Sequence, residues 1–221
     1  MSHKVRVWDL PTRCFHWALV LSLIGLLTSA QIGGDAMAWH FRSGYAVLSL
    51  LLFRLIWGVV GGKWSRFSSF LYAPATVLAY IQGRGRPEHS IGHTPLGAAS
   101  VFALLGFLLL QVASGLVSDD EIAAAGPLSK LVSSAVAGTA TSYHTTVGKL
   151  MVIALVLLHI GAILVYYVKK RQNLVRPMLL GDKETDNAVV GSRDDAGSRA
   201  LALVIFLGCA ALVAGMVTLA G

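Results

Sequence analysis

The stretch YHTTVGKLMVIALVLLHIGAILVYYVKK, Tyr143 to Lys170, is one long apolar run that carries two histidines. Ionisable side chains inside a hydrocarbon-spanning helix are costly and are functional by default. His144 and His159 therefore need a shared explanation. Fifteen residues at 1.5 Å each set them about 22 Å apart along a helix, and fifteen steps of 100° leave them about 60° apart around it. One helix face presents imidazole at two depths.

The composition fits a membrane setting. Hydrophobic residues make up 55% of the chain and DEKR 13%, against roughly 25% charged in soluble domains. The expected class is all-α and integral to the membrane, with no separate soluble domain. Cys14 and Cys209 lie in different apolar stretches and form no CxxC or CxxCH motif, which excludes c-type heme attachment and argues against a disulfide framework. The net charge of +7 is read as a membrane-side signal rather than as a nucleic-acid footprint.

Outward from Tyr143, the chain divides into spans and polar connections. A basic lead-in ends in VWDLPTRCFHW, Val7 to Trp17, where Trp8 and Trp17 are interface anchors. The first span is expected over Cys14 to Ala30. Its basic flank and small-residue end also resemble a signal peptide, but a removed leader has no use for a histidine at its start, so the span is expected to be retained. His40 precedes a second span, Gly44 to Val60, which contains Arg54. Residues 61–95 are polar and basic, with an apolar run at Ala75 to Ile81 too short to cross a bilayer, expected as an amphipathic surface helix near 74–82. The third span, Leu96 to Val117, has no histidine, and an acidic loop with Asp119, Asp120 and Glu121 follows. The expected domains are a membrane domain over 1–180, a polar linker over 181–199 and an additional transmembrane helix over 200–221.

Lys and Arg placement sets an orientation. Outside the spans, fourteen basic residues fall before span one, between spans two and three, and between spans four and five, whereas only Arg42 and Lys130 fall in the other connections. The positive-inside rule places the N-terminus in the cytoplasm and the C-terminus in the periplasm. His16 then lies toward the inner side with His159, and His40 toward the outer side with His144. Each pair suits one heme held from both faces, and bis-histidine ligation closes the iron to substrate and favours electron transfer. Gly44 and Gly148 each follow an outer histidine by four residues, on the same helix face, where a missing side chain admits a porphyrin edge. Arg13, Arg42, Arg54 and Lys149 are placed to meet heme propionates, with snorkelling to the interface as the alternative for Arg54 and Lys149.

Each histidine taken singly has a plainer reading as a hydrogen-bonded core residue; four that pair by depth do not. His3, His89 and His93 lie in polar segments and read as solvated, with support of the inner heme region as an alternative for His93. A histidine-lined transporter would add intramembrane carboxylates, and the four main spans contain no Asp or Glu.

The ordered set VWDLPTRCFHW, WHFRSGYAVLSLLLFRLIWGVVG, RFSSFL, GHTPLG, SDDEI with GPL, and YHTTVGKL through NLVRP resembles the bacterial cytochrome b561 and nickel-iron hydrogenase cytochrome b family. The resemblance covers roughly residues 5 to 180. It implies a four-helix bundle with two b-type hemes, and its ligand histidines fall on His16, His40, His144 and His159. It also implies electron transfer between membrane quinone and a periplasmic redox partner such as a cytochrome c. No nucleic acid and no catalytic side chain are expected. Superoxide oxidation coupled to quinone, and a subunit role in a hydrogenase-like complex, are the redox alternatives, with a homodimer or larger complex as the possible assemblies. The family core has four spans, so the fifth is additional.

Overall fold

The computed structural model describes residues 3–86, 89, 91–122, 124–185 and 189–220. Among the described residues, five helices are long and apolar enough to cross a membrane. Strand β1 (His3–Arg6) precedes α1 (Leu10–Ile32), and a single 3-10 turn leads into α2 (Met37–Val60). The short α3 (Pro74–Ile81) precedes α4 (Pro95–Val117). Next, α5 (Ser134–Tyr143) runs through a π-turn at His144–Gly148 into α6 (Lys149–Lys169), and α7 (Val175–Leu180), strand β2 (Asp182–Thr185) and α8 (Ala196–Ala220) complete the chain.

The helix starts are written in local chemistry. Asp9 accepts the Thr12 backbone N–H at 2.8 Å and so caps α1. Thr94 does the same for α4 through the Gly97 N–H, Ser133 for α5 through Val136, and Asp195 for α8 through Ser198. Pro74 opens α3, where its missing N–H costs nothing. Along the spans, large apolar side chains such as Leu21, Leu158 and Val204 remain exposed, as suits a surface that meets lipid rather than water. The spans are longer than the apolar runs suggest. In particular His40 lies within α2 rather than before it, because the amphipathic turn Met37 to Phe41 joins the helix.

The chain forms two compact units. The boundary cuts α1 between Phe15 and His16, and also falls within α2, α4, α6 and α8. The first unit contains residues 1–15, 54–103 and 157–205. At its centre the fully buried Asp9 carboxylate accepts from Ser65 Oγ at 2.7 Å, and from Trp57 Nε1 and the Gly62 N–H at 3.3 Å. One carboxylate thereby joins the start of α1 to the end of α2.

Segment 181–199, expected as a linker, is built into this unit. Strand β2 pairs antiparallel with β1, matching Arg6 to Asp182. Ser192 N–H donates to the Arg6 carbonyl at 2.7 Å, and Ser192 Oγ donates to Val7 O and accepts from Trp64 N–H. Asp194 gathers Arg6, Arg199 and the Leu10 N–H within about hydrogen-bond range, at 2.8, 3.0 and 3.0 Å. The physical reason is backbone pairing and charge matching between chain ends, which no local periodicity reveals.

The second unit contains residues 16–53, 104–156 and 206–221. Its close contacts include Gly25 on α1 beside Ser43 on α2, where an added Cβ would meet Ser43 Oγ at 3.2 Å, and Phe53 edge-to-face with Phe206 of α8.

Candidate heme sites

In the second unit, His40 of α2 and His144 of the π-turn present rings whose centroids are 6.1 Å apart and whose planes are inclined at 88°. His40 Nδ1 lies 3.0 Å from the Leu26 carbonyl, and His144 Nδ1 lies 2.9 Å from the Gln111 carbonyl and 3.2 Å from Ser114 Oγ. A carbonyl only accepts, so each Nδ1 carries the proton and each Nε2 keeps its lone pair. Metal-binding histidines are oriented this way by the hydrogen bond at their other nitrogen. The spacing also fits. With metal–nitrogen bonds of about 2 Å and roughly 1.1 Å from ring nitrogen to ring centre, two imidazoles on opposite sides of one metal have centroids about 6.2 Å apart. The residues present therefore fit a heme group, whose iron the two free Nε2 atoms would hold.

Several supporting groups escape a reading of sequence alone. Gly115 faces the His144 ring: a Cβ there would stand 2.7 Å from Cε1. Gln111 donates through Nε2 to the His144 carbonyl at 2.9 Å, serving backbone within the π-turn. The only available signal was a polar Gln-x-x-Ser-Gly sequence inside an otherwise apolar span. The π-turn also changes the helical count, since one extra residue in a turn makes fifteen steps behave as about fourteen. The two histidines of this helix then differ by about 40° in the opposite sense, still on one face.

The flanking residues divide. An added Cβ at Gly44 would meet only Leu26 Cδ2, at 3.9 Å, so that face is open. Gly148 is buried, and a side chain there would collide with Gln111 Oε1 and the Tyr143 ring. Its missing side chain thus makes room for protein groups. Arg42 stacks over Trp39 at 5.0 Å, and Lys149 is exposed.

In the first unit, His159 is half-buried on α6. Arg54 is 3% exposed, with its guanidinium 4.7 Å over the Phe67 ring. It does not snorkel, and its buried Nη1 has no hydrogen-bond partner among the described residues. His93, read from sequence as solvated, is instead stacked between Trp8 and Phe70, with centroids at 4.6 and 4.3 Å. Aromatic residues distant in sequence close over it. Burial first, then the charges of Arg54 and His159, push the His93 pKa down to about 3, so its ring is neutral. Its buried Nδ1 likewise has no hydrogen-bond partner among the described residues. A buried guanidinium with an unused donor is what a carboxylate such as a heme propionate would complete.

His89 lies beside Tyr72 and Tyr80, and His3 is exposed on β1. Arg13 donates to the Leu179 carbonyl at 2.6 Å and approaches Asp194 at 4.0 Å, so part of its capacity is taken by the protein. His16, half-buried on α1, meets Trp17 edge-on at 5.0 Å in the second unit.

The family model described as prokaryotic cytochrome b561 matches residues 7–181. A "Probable Ni/Fe-hydrogenase 1 B-type cytochrome subunit" of Escherichia coli (strain K12) is 27% identical over 140 aligned positions, covering 51% of this chain and 57% of the relative. The chain thus spans little more than half of that relative. A "Probable Ni/Fe-hydrogenase B-type cytochrome subunit" of Bradyrhizobium diazoefficiens is 23% identical over 223 aligned positions, covering 81% of this chain and 86% of the relative. No solved structure matches. Because the family model takes in the helices that carry all four histidines and ends before α8, the chain belongs to the prokaryotic cytochrome b561 family, a family of b-type heme proteins, as a multi-pass inner-membrane protein.

Proposed function

We propose that the chain holds two b-type hemes, one ligated by His40 and His144 toward the periplasm and one by His16 and His159 toward the cytoplasm. It passes single electrons between membrane quinone and a periplasmic redox partner such as a cytochrome c. The observation that carries this reading is the His40–His144 pair, whose 6.1 Å centroid separation suits two ligands of one iron. The inner pair rests on the depth of each histidine in its span and on the positive-inside orientation, with the N-terminus cytoplasmic and the C-terminus periplasmic.

Bound in this way, a heme supplies one-electron chemistry at an iron with no open position. The protein's part is to hold each ring in one tautomer, through the Leu26 and Gln111 carbonyls, and to offset propionate charge with Arg54. Residues 1–180 form the heme-bearing membrane domain, and α8 is an addition that packs through Phe206 on Phe53. The hydrogenase subunits among its relatives favour a second reading of the partner, in which the chain is the membrane cytochrome of a hydrogenase-like complex. Pull-down of the tagged chain from native membranes separates the two: a co-purifying dehydrogenase or hydrogenase subunit supports the complex, and a chain that purifies alone while reducing a soluble cytochrome c supports the carrier.

A further inference from the structure

We propose that the cavity where α6 ends binds the headgroup of an anionic phospholipid of the phosphatidylglycerol class, with the Lys170 ammonium and the Arg86 guanidinium as its charge partners. Such binding needs only the membrane setting, whatever the heme ligands or the redox partner. The cavity has a volume of about 360 Å³, within the range of small-molecule pockets, and lies wholly inside the first unit. Its wall includes Lys170, Arg86, Gln172 and Thr94 beside Tyr80 and Tyr166, and among the described residues no carboxylate lines it.

The depth of the cavity suits a headgroup. Lys170 follows directly on the last residue of α6, so it stands where that span leaves the hydrocarbon. The Tyr80 and Tyr166 hydroxyls are 2.7 Å apart, which ties α3, too short to cross a bilayer, to the same end of α6. Both helices offer exposed apolar side chains there, Leu78 and Ile81 on α3 and Val165 and Val168 on α6. Acyl chains can lie along these while the phosphate stays at the polar rim. A free phosphate would have no use for that strip.

The ammonium is held in place. Lys170 Nζ donates to the Tyr80 hydroxyl at 3.3 Å and lies 4.5 Å from the Tyr166 ring centre and 5.2 Å from that of Tyr80. Two phenol acceptors leave at least one of its three N–H groups for a phosphate oxygen. Tyr166 in turn donates to Thr94 Oγ1 at 3.3 Å, which fixes the ring under the ammonium.

The charge exceeds what the helix needs. One cation at the end of α6 would offset the negative end of its dipole. The chain from Val165 to Gly181 nevertheless carries four basic residues and no acidic one, and the next carboxylate, Asp182, is paired with Arg6. Arg171, between two residues of the cavity wall, holds a left-handed backbone with φ of 54°, a position usually left to glycine at helix ends. Cationic clusters just outside a span recognise anionic headgroups. A zwitterionic lipid would bring an ammonium that finds no carboxylate in this wall.

The test reads lipid binding to the heme-loaded full chain in a maltoside detergent by native mass spectrometry, with added palmitoyl-oleoyl phosphatidylglycerol or palmitoyl-oleoyl phosphatidylcholine. One phosphatidylglycerol is expected to bind about tenfold more tightly than phosphatidylcholine, and Lys170→Gln and Arg86→Gln each weaken it by about fivefold. Lys170→Arg retains the binding. Tyr80→Phe keeps the ring but frees the ammonium, and weakens binding by about threefold. Arg66→Gln, an equal loss of charge outside the cavity wall, leaves it unchanged. Lys170 and Arg86 are both exposed and lie on separate segments, so either variant alone carries the test if the other misfolds by circular dichroism. Equal affinity for the two lipids, displacement of phosphatidylglycerol by millimolar inorganic phosphate, or equal losses in Arg66→Gln and Lys170→Gln would overturn the assignment.

Discussion

Gly115 on α4 and His144 in the π-turn are matched in shape: the glycine's missing side chain is the space the imidazole edge occupies, and a Cβ would come within 2.7 Å of Cε1. Gly115→Ala must therefore push the ring or bend α4. Overpacking of this kind costs about 1–3 kcal/mol, and here the strain falls on the proposed ligand. The expected outcome is selective loss of the outer heme, measured as a fall toward one heme per chain by the pyridine hemochrome assay, with helix content by circular dichroism unchanged.

Arg54 is buried against Phe67 with one nitrogen unused among the described residues. Removing a positive charge beside a heme makes reduction harder. Arg54→Gln is expected to lower the inner heme's midpoint potential by about 60 mV, equivalent to a tenfold change for one electron. Potentiometric titration of the two hemes checks it, and the outer heme should not move.

Asp9 is fully buried and accepts from Thr12, Trp57, Gly62 and Ser65. Asp9→Ala leaves those donors without their acceptor. Each buried donor left unpaired in this way costs about 1–3 kcal/mol. The variant should melt well below the parent in the same detergent, with Asp9→Asn between them.

Asp194 carries a pH dependence of definite sign. Burial works to raise its pKa, but hydrogen bonds from Arg199 and the Leu10 N–H, with the charges of Arg199 and Arg6, hold it below the ordinary carboxylate value. The folded value is thus below the unfolded one. Its stabilisation is present above an unfolded pKa of about 3.9 and is lost as pH falls through the folded value. Melting curves at pH 7 and in strong acid should differ less for Asp194→Asn than for the parent, with the variant's loss of stability confined to the higher pH.

Much of this architecture is legible in the sequence because hydropathy alone marks bilayer-length helices. Pro95–Val117 and Ala196–Ala220 extend the expected spans by only one residue and four residues at their starts, and α3 begins at Pro74 as expected and ends one residue before the expected bound, at Ile81. The polar ends are harder. Pairing of His3–Arg6 with Asp182–Thr185 joins short segments far apart in the chain, neither with a strand-like alternation long enough to notice. Asp9, Ser192 and Asp194 look like ordinary loop residues until the two ends meet. The candidate ligands are legible since a histidine in an apolar span is conspicuous, but Gln111, Ser114 and Gly115 are not, because they act on His144 from a neighbouring helix. His93 misleads for the same reason: its GHTPLG setting is polar, while Trp8 and Phe70 enclose the ring from other segments.

The central claim is two hemes, each held by its own histidine pair. The direct measurement is a pyridine hemochrome count with reduced-minus-oxidised spectra on the purified parent, His144→Ala and His159→Ala, expressed with ample heme and checked for folding. The account predicts two hemes in the parent and one in each variant, with different α-band positions for the survivors. One heme per parent chain, or a folded variant of either kind that loses both, would contradict it.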